Sequence, residues 1–139
     1  MDKQAILRKI ASLRRCIERI EEKVPETSDK LQSNYDSQDI ISLNLQRAVQ
    51  VCVDVASHLN AQSSAKAPES MAESFDNLNQ MGILSDKICD RMKKSVGFRN
   101  IAVHEYSTIN WDIVFSVSTT NLGDFKEFAK EIIAWMDKN

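Results

Sequence analysis

One stretch of the 139-residue chain concentrates groups that can move protons and hold phosphate: Arg99-Asn100-Ile101-Ala102-Val103-His104-Glu105-Tyr106. A guanidinium, an amide, an imidazole and a phenol fall within eight residues. An imidazole near its ordinary pKa can take a proton from an RNA 2′-hydroxyl or return one to a leaving oxygen, and a guanidinium can hold the extra charge on phosphorus in the transition state. Asn100 can fix the imidazole tautomer through an amide hydrogen bond. No metal or other cofactor is required. Upstream, Arg91, Lys93 and Lys94 precede Arg99 within nine residues and form a candidate RNA-binding patch; the competing reading is a solvated helix face.

Other chemistries have little support. The second histidine, His58, lies late in a helical pattern and reads as a surface or helix-end residue. There is no H-E-x-x-H, no Cys/His spacing suited to zinc, no glycine-rich phosphate loop and no G-x-S-x-G elbow.

If the motif is helical, Asn100 and His104 are i,i+4 neighbours, whereas Arg99 and Tyr106 share an adjoining face turned by roughly 120 to 160°. Ile101, Ala102 and Val103 are then expected to anchor the segment in the core. One helix does not easily aim Arg99 and His104 at the same phosphate. A second copy related by a two-fold axis can bring both pairs into one groove.

The rest of the chain must build the support. Three glycines and two prolines are too few for a sandwich or barrel, so the expected class is all-α, an antiparallel bundle of five or six helices in a single domain spanning 1–139. Apolar residues recur at helical spacing from Asp2 to Val24, and again from about Ser37 to Ala61. The second run is apolar around its girth between Val49 and Val55, the pattern of a central or interface helix. Between them, Pro25 and Thr27 to Asp29 read as turn and cap chemistry leading to a polar segment with Tyr35.

After a loop from Asn60 to Pro68, Ser70 with Glu73 is a capping box for a third helix, and Gly82 fits its C-terminal cap. Ser85 or Asp86 opens a fourth, expected to break at Gly97. Asn110 and Asp112 start a further helix, with a strand as the alternative over Ile113 to Val117, and Asp124 with Glu127 is a cap-like pair opening the last. A net charge of −2 removes any general attraction to nucleic acid, so such a partner needs a local patch. Cys16, Cys52 and Cys89 lie in apolar helical contexts and read as reduced core thiols of a cytoplasmic protein. No signal peptide or membrane span is evident.

At Arg99-Asn100-x-x-x-His104-x-Tyr106 the sequence resembles the HEPN superfamily, specifically its HepT-like toxins, whose signature is R-x4-H-x-Y with a polar residue after the arginine. From this chain's composition, the triplet arises by chance on the order of once in a thousand. Leu43-Asn44-Leu45-Gln46-Arg47-Ala48-Val49-Gln50 with Val53-Asp54-Val55-Ala56 is similar to the family's second helix, and Val96-Gly97-Phe98 to the lead-in of its motif. The likeness covers most of residues 37 to 110.

The resemblance implies a homodimer with a shared cleft and metal-independent endoribonuclease activity with Arg99 and His104 catalytic. It also implies a minimal nucleotidyltransferase antitoxin that adds AMP to Tyr106. The alternative, from another class, is a non-catalytic helical subunit that docks a nucleotidyltransferase, a role similar bundles take when the Arg and His are absent. Here both are present.

Overall fold

The structure, a computed structural model, describes residues 2–64 and 66–139. Among the described residues seven α-helices follow in order: α1 (Lys3–Lys23), α2 (Ser28–Gln32), α3 (Tyr35–Ala61), α4 (Met71–Gln80), α5 (Asp86–His104), α6 (Trp111–Ser116) and α7 (Leu122–Asp137). A 3₁₀ turn, Tyr106–Thr108, joins α5 to α6, and a π-helical turn, Val117–Asn121, joins α6 to α7. Among the described residues there is no strand, so the Ile113 to Val117 alternative resolves as helix.

The α1 stripe Ile6, Ile10, Leu13, Ile17 and Ile20 is buried, as its spacing predicts, and packs on α3. Each such side chain contributes roughly 1.5–3 kcal/mol when fully removed from water. The two helices run antiparallel: Lys9 pairs with Asp54 at 3.2 Å, while Arg19 lies beside Ile40 near the other end. α3 is central, touching α1, α2, α4, α5 and α7, which explains why Val49, Cys52, Val53, Val55 and Ala56 are all buried. Phe75 of α4 and Phe128 of α7 meet edge to face, with centroids 6.0 Å apart, closing the core. All three cysteines are free and buried.

Local sequence signals place most helix starts. Ser70 Oγ accepts from the Glu73 amide at 3.1 Å, Ser85 Oγ from the Ile88 amide at 3.3 Å, and Asn110 Oδ1 from the amides of Asp112 and Ile113. Gly82 has φ +76°, the left-handed conformation its cap position demands.

Three expectations are corrected. The Thr27 to Asp29 turn is a short helix, α2, because Thr27 caps it and buried Gln38 donates to the Leu31 and Gln32 carbonyls at its far end. Gly97 does not interrupt α5: its φ is not positive, and the helix runs on to His104. Finally, Asp124 does not cap α7. It lies in the first turn of a helix reached through the π turn, and its carboxylate pairs with Arg91 at 3.9 Å.

Candidate functional site

The site is the C-terminal end of α5 with the turn that follows it. Upstream, Ile88, Cys89, Met92 and Val96 lock the helix into the core. From Gly97 to His104 only Ala102 is buried, while Ile101 and Val103 are 43% and 46% exposed. The expected three-residue anchor is therefore one residue, because consecutive helical positions point about 100° apart and the bundle covers only one side of this end.

Arg99, Asn100 and His104 share one uninterrupted helix. Five residues separate Arg99 from His104, about 140° around the axis and about 7.5 Å along it, so within one chain they do not converge on one point. His104 is exposed in the last turn of α5. Half-buried Arg99 reaches back over α3: Nη2 donates to Gln50 Oε1 at 3.5 Å and Nη1 to Asn100 Oδ1 at 3.3 Å. Gln50 in turn donates to Asp54 at 2.9 Å, which also holds Lys9. Asn100 thus orients Arg99 here, and among the described residues no hydrogen bond joins it to His104.

Tyr106 lies beyond the helix, so the adjoining face expected with Arg99 is not formed. Glu105 leaves the helical region at φ −139°, ψ 52°, and Tyr106 begins the 3₁₀ turn. Its ring packs edge-on to Trp111, with centroids 5.8 Å apart, and its hydroxyl donates to Asp39 Oδ1 at 2.6 Å. Partial burial, and then the Asp39 hydrogen bond and charge, push the phenol well above its ordinary range. The ring nevertheless stays 39% exposed.

The three upstream cations do not form one free patch. Arg91 pairs with Asp124, Lys93 with Asp76 of α4 at 2.9 Å, and Lys94 with Asp90 at 3.2 Å. Arg91 and Lys94 border a small apolar pocket toward α6 and α7, whereas Lys93 is turned toward α4. His58 lies in the last turn of α3 as expected. Among the described residues no group of His, Cys, Asp or Glu is arranged to hold a metal, and no helix is long and apolar enough to cross a membrane.

Sequence reasoning missed Asp39 and Gln50. Their spacing of eleven, three helical turns, puts both on the α3 face toward the motif. That spacing was the only signal, and many polar pairs share it.

An all-α bundle that presents an R-x4-H-x-Y motif at the end of a core-anchored helix defines a HEPN-type ribonuclease. Comparison with known proteins carries this further. Residues 13–132 match the family model described as ribonuclease HepT-like. The mRNA nuclease HepT of Shewanella oneidensis is 40% identical over 129 residues, covering 93% of this chain and 96% of that protein. Two solved structures superpose closely. A toxin–antitoxin crystal structure with AMP-PNP has a TM-score of 0.90 at 38% identity, covering 95% of this chain and 99% of that one. The tri-AMPylated Shewanella oneidensis HEPN toxin in complex with MNT antitoxin has a TM-score of 0.88 at 40% identity, covering 96% and 99%. The chain belongs to the HepT-like ribonuclease family, the endoribonuclease toxins of toxin–antitoxin pairs.

Proposed function

We propose that the chain cuts RNA without a metal, at a cleft completed by a second copy of itself. His104 takes the proton of a 2′-hydroxyl, and the 2′-oxygen attacks the neighbouring phosphorus. The bond to the 5′-oxygen breaks, and that oxygen receives a proton from the imidazolium of the second copy's His104. A 2′,3′-cyclic phosphate and a 5′-hydroxyl result, so atoms and charge balance. Arg99, oriented by Asn100 and Gln50, holds the charge that builds on the phosphoryl oxygens. The observation that carries this reading is the uninterrupted α5, which sets Arg99 and His104 about 140° apart. Exposed Ile101 and Val103 beside the motif supply apolar surface for the second copy to cover.

Tyr106 is the acceptor of AMP from a minimal nucleotidyltransferase antitoxin, the kind of partner seen with the Shewanella toxin. Its exposed ring permits attack on the α-phosphorus of ATP, with pyrophosphate leaving and the phenol proton passing to Asp39. The attached adenylate would put bulk and negative charge beside the motif, where it would repel an RNA backbone. Arg91, Lys93 and Lys94 then play at most a secondary part in RNA binding, since each already faces a carboxylate. Buried free thiols and the lack of a membrane-crossing helix among the described residues favour a cytoplasmic location.

Purified protein is expected to cleave RNA in excess chelator. His104→Ala should lower the rate by about 10²–10⁴-fold with an unchanged unfolding midpoint. Cleavage that survives this substitution overturns the assignment, and full activity in a preparation that sediments as a monomer overturns the composite cleft.

A further inference from the structure

The arginines are not spread evenly. Four of the seven lie on α1 and one on α3, although the whole chain is acidic by two charges. An open groove of about 510 Å³ runs between these two helices, with Arg15 and Arg19 on one wall and Arg47 on the other. Arg15 and Arg19 are one turn apart, with about 5–6 Å between their Cβ atoms, on the same edge of α1. All three are exposed. Among the described residues neither Arg15 nor Arg47 has a carboxylate partner: Arg15 rests on the Ser12 hydroxyl, and only Arg19 pairs, with solvent-exposed Glu22. The contrast with Arg91, Lys93 and Lys94, each held by an acid, is direct.

Between the arginine walls the groove is mixed, with Ile40, Leu43 and Val51 on its α3 side beside the polar Asn44 and Gln50. It also leads somewhere. Gln50 lines the groove and, through the same side chain, accepts from Arg99 Nη2. The groove and the motif therefore meet at one residue.

We infer that the α1–α3 groove is a binding track for the sugar–phosphate backbone of single-stranded RNA, feeding the strand past Gln50 to Arg99. Guanidinium forks match phosphate oxygens in geometry as well as charge. Ile40, Leu43 and Val51 offer surface for ribose or base faces, and no aromatic side chain lines the groove to stack a base. The track thus supplies affinity for length of strand and little sequence preference. It resolves how a chain with net negative charge holds a polyanion: the cations are collected on one pair of helices beside the cleft.

This inference rests on the ribonuclease reading above, and the test separates their failures. In the full-length protein carrying His104→Ala, so that RNA is not consumed, the affinity for a fluorescein-labelled single-stranded RNA is measured by anisotropy over a salt series. Arg15→Gln with Arg47→Gln should weaken binding by about tenfold or more, uniformly across sequences, and flatten the slope of log affinity against log salt by about 0.7 per lost phosphate contact. Arg15→Lys with Arg47→Lys keeps the charge and should retain most of the affinity, which separates loss of charge from loss of fold. With His104 intact, the Gln pair should raise KM for long RNA while leaving kcat, and should cleave a dinucleotide, too short to reach the groove, as the native chain does.

Unchanged affinity and salt slope in the Gln pair overturn the track. So does a larger loss from Arg91→Gln with Lys94→Gln, or a Gln pair that binds RNA normally but no longer binds the nucleotidyltransferase, which would make the groove a protein dock. Cleavage surviving His104→Ala would instead overturn the catalytic assignment, and the same binding comparison is then read with a 2′-O-methyl strand, which has no 2′-hydroxyl to attack the phosphate.

Discussion

The two halves of α5 have opposite tasks although they share one hydrogen-bonded backbone. From Asp86 to Val96 the helix buries Ile88, Cys89, Met92 and Val96, and its Arg91, Lys93 and Lys94 are tied to acids on α7, α4 and α5 itself. From Gly97 to His104 only Ala102 is buried, and Arg99, Asn100 and His104 face water or make weak, long hydrogen bonds. The first half fixes direction and the second presents chemistry. A helix is stiff enough for anchorage at one end to hold groups at the other, so the presenting end need not surrender its polar surface to a core.

That comparison can be broken from the anchoring side first. Met92→Ala removes a side chain fully excluded from water and should cost about 2–5 kcal/mol, read from a denaturant midpoint. Cleavage per folded molecule should hardly change under stabilising conditions. A specific loss of activity at unchanged stability would mean that Met92 belongs functionally to the presenting half.

Gly97 sits at the junction. A Cβ built there meets nothing within 4 Å, and the backbone is ordinary helix. Gly97→Ala should therefore stabilise the protein by about 0.5–1 kcal/mol with cleavage unchanged. A more stable but inactive variant would sharpen the picture differently, by putting Gly97 beneath a second copy.

The smallest effect concerns the tie from the presenting end to α3. Asp39→Asn removes the charge facing the Tyr106 hydroxyl, so the phenol should titrate at lower pH than in the native chain, followed by tyrosinate absorbance. The sign for stability follows. A phenol whose folded pKa is raised contributes stability that is fully present below the unfolded value of about 10 and is lost as pH rises through the folded one. Asp39→Asn should accordingly lose less stability than the native chain as the pH rises above about 10. No change in the titration would mean that the hydrogen bond does not persist in solution.

Much of this was legible in the residues. The α1 stripe, the Ser70 and Ser85 caps, the Gly82 terminus and the Arg99 to Tyr106 motif are patterns complete within a few residues, so periodicity, cap chemistry and spacing suffice. The errors arose where local propensity competed with tertiary packing. Gly97 weakens a helix only slightly, and the anchored turns before it carry the helix through. Asp124 resembles a cap, but the chain arrives already helical through the π turn, leaving no free amides for it to satisfy.

By itself the sequence determined the helical class, the groups available for chemistry and the family to which they belong, because each depends on spacing along the chain. Only the tertiary structure decided that Tyr106 is held by Asp39, 67 residues away, and Arg99 by Gln50, 49 residues away. It alone decided that Arg91, Lys93 and Lys94 of α5 face acids while, among the described residues, Arg15 of α1 and Arg47 of α3 have no carboxylate partner. The physical reason is that charge and hydrogen bonding act across space, and which acid meets which base is set by how helices pack, not by their order in the chain.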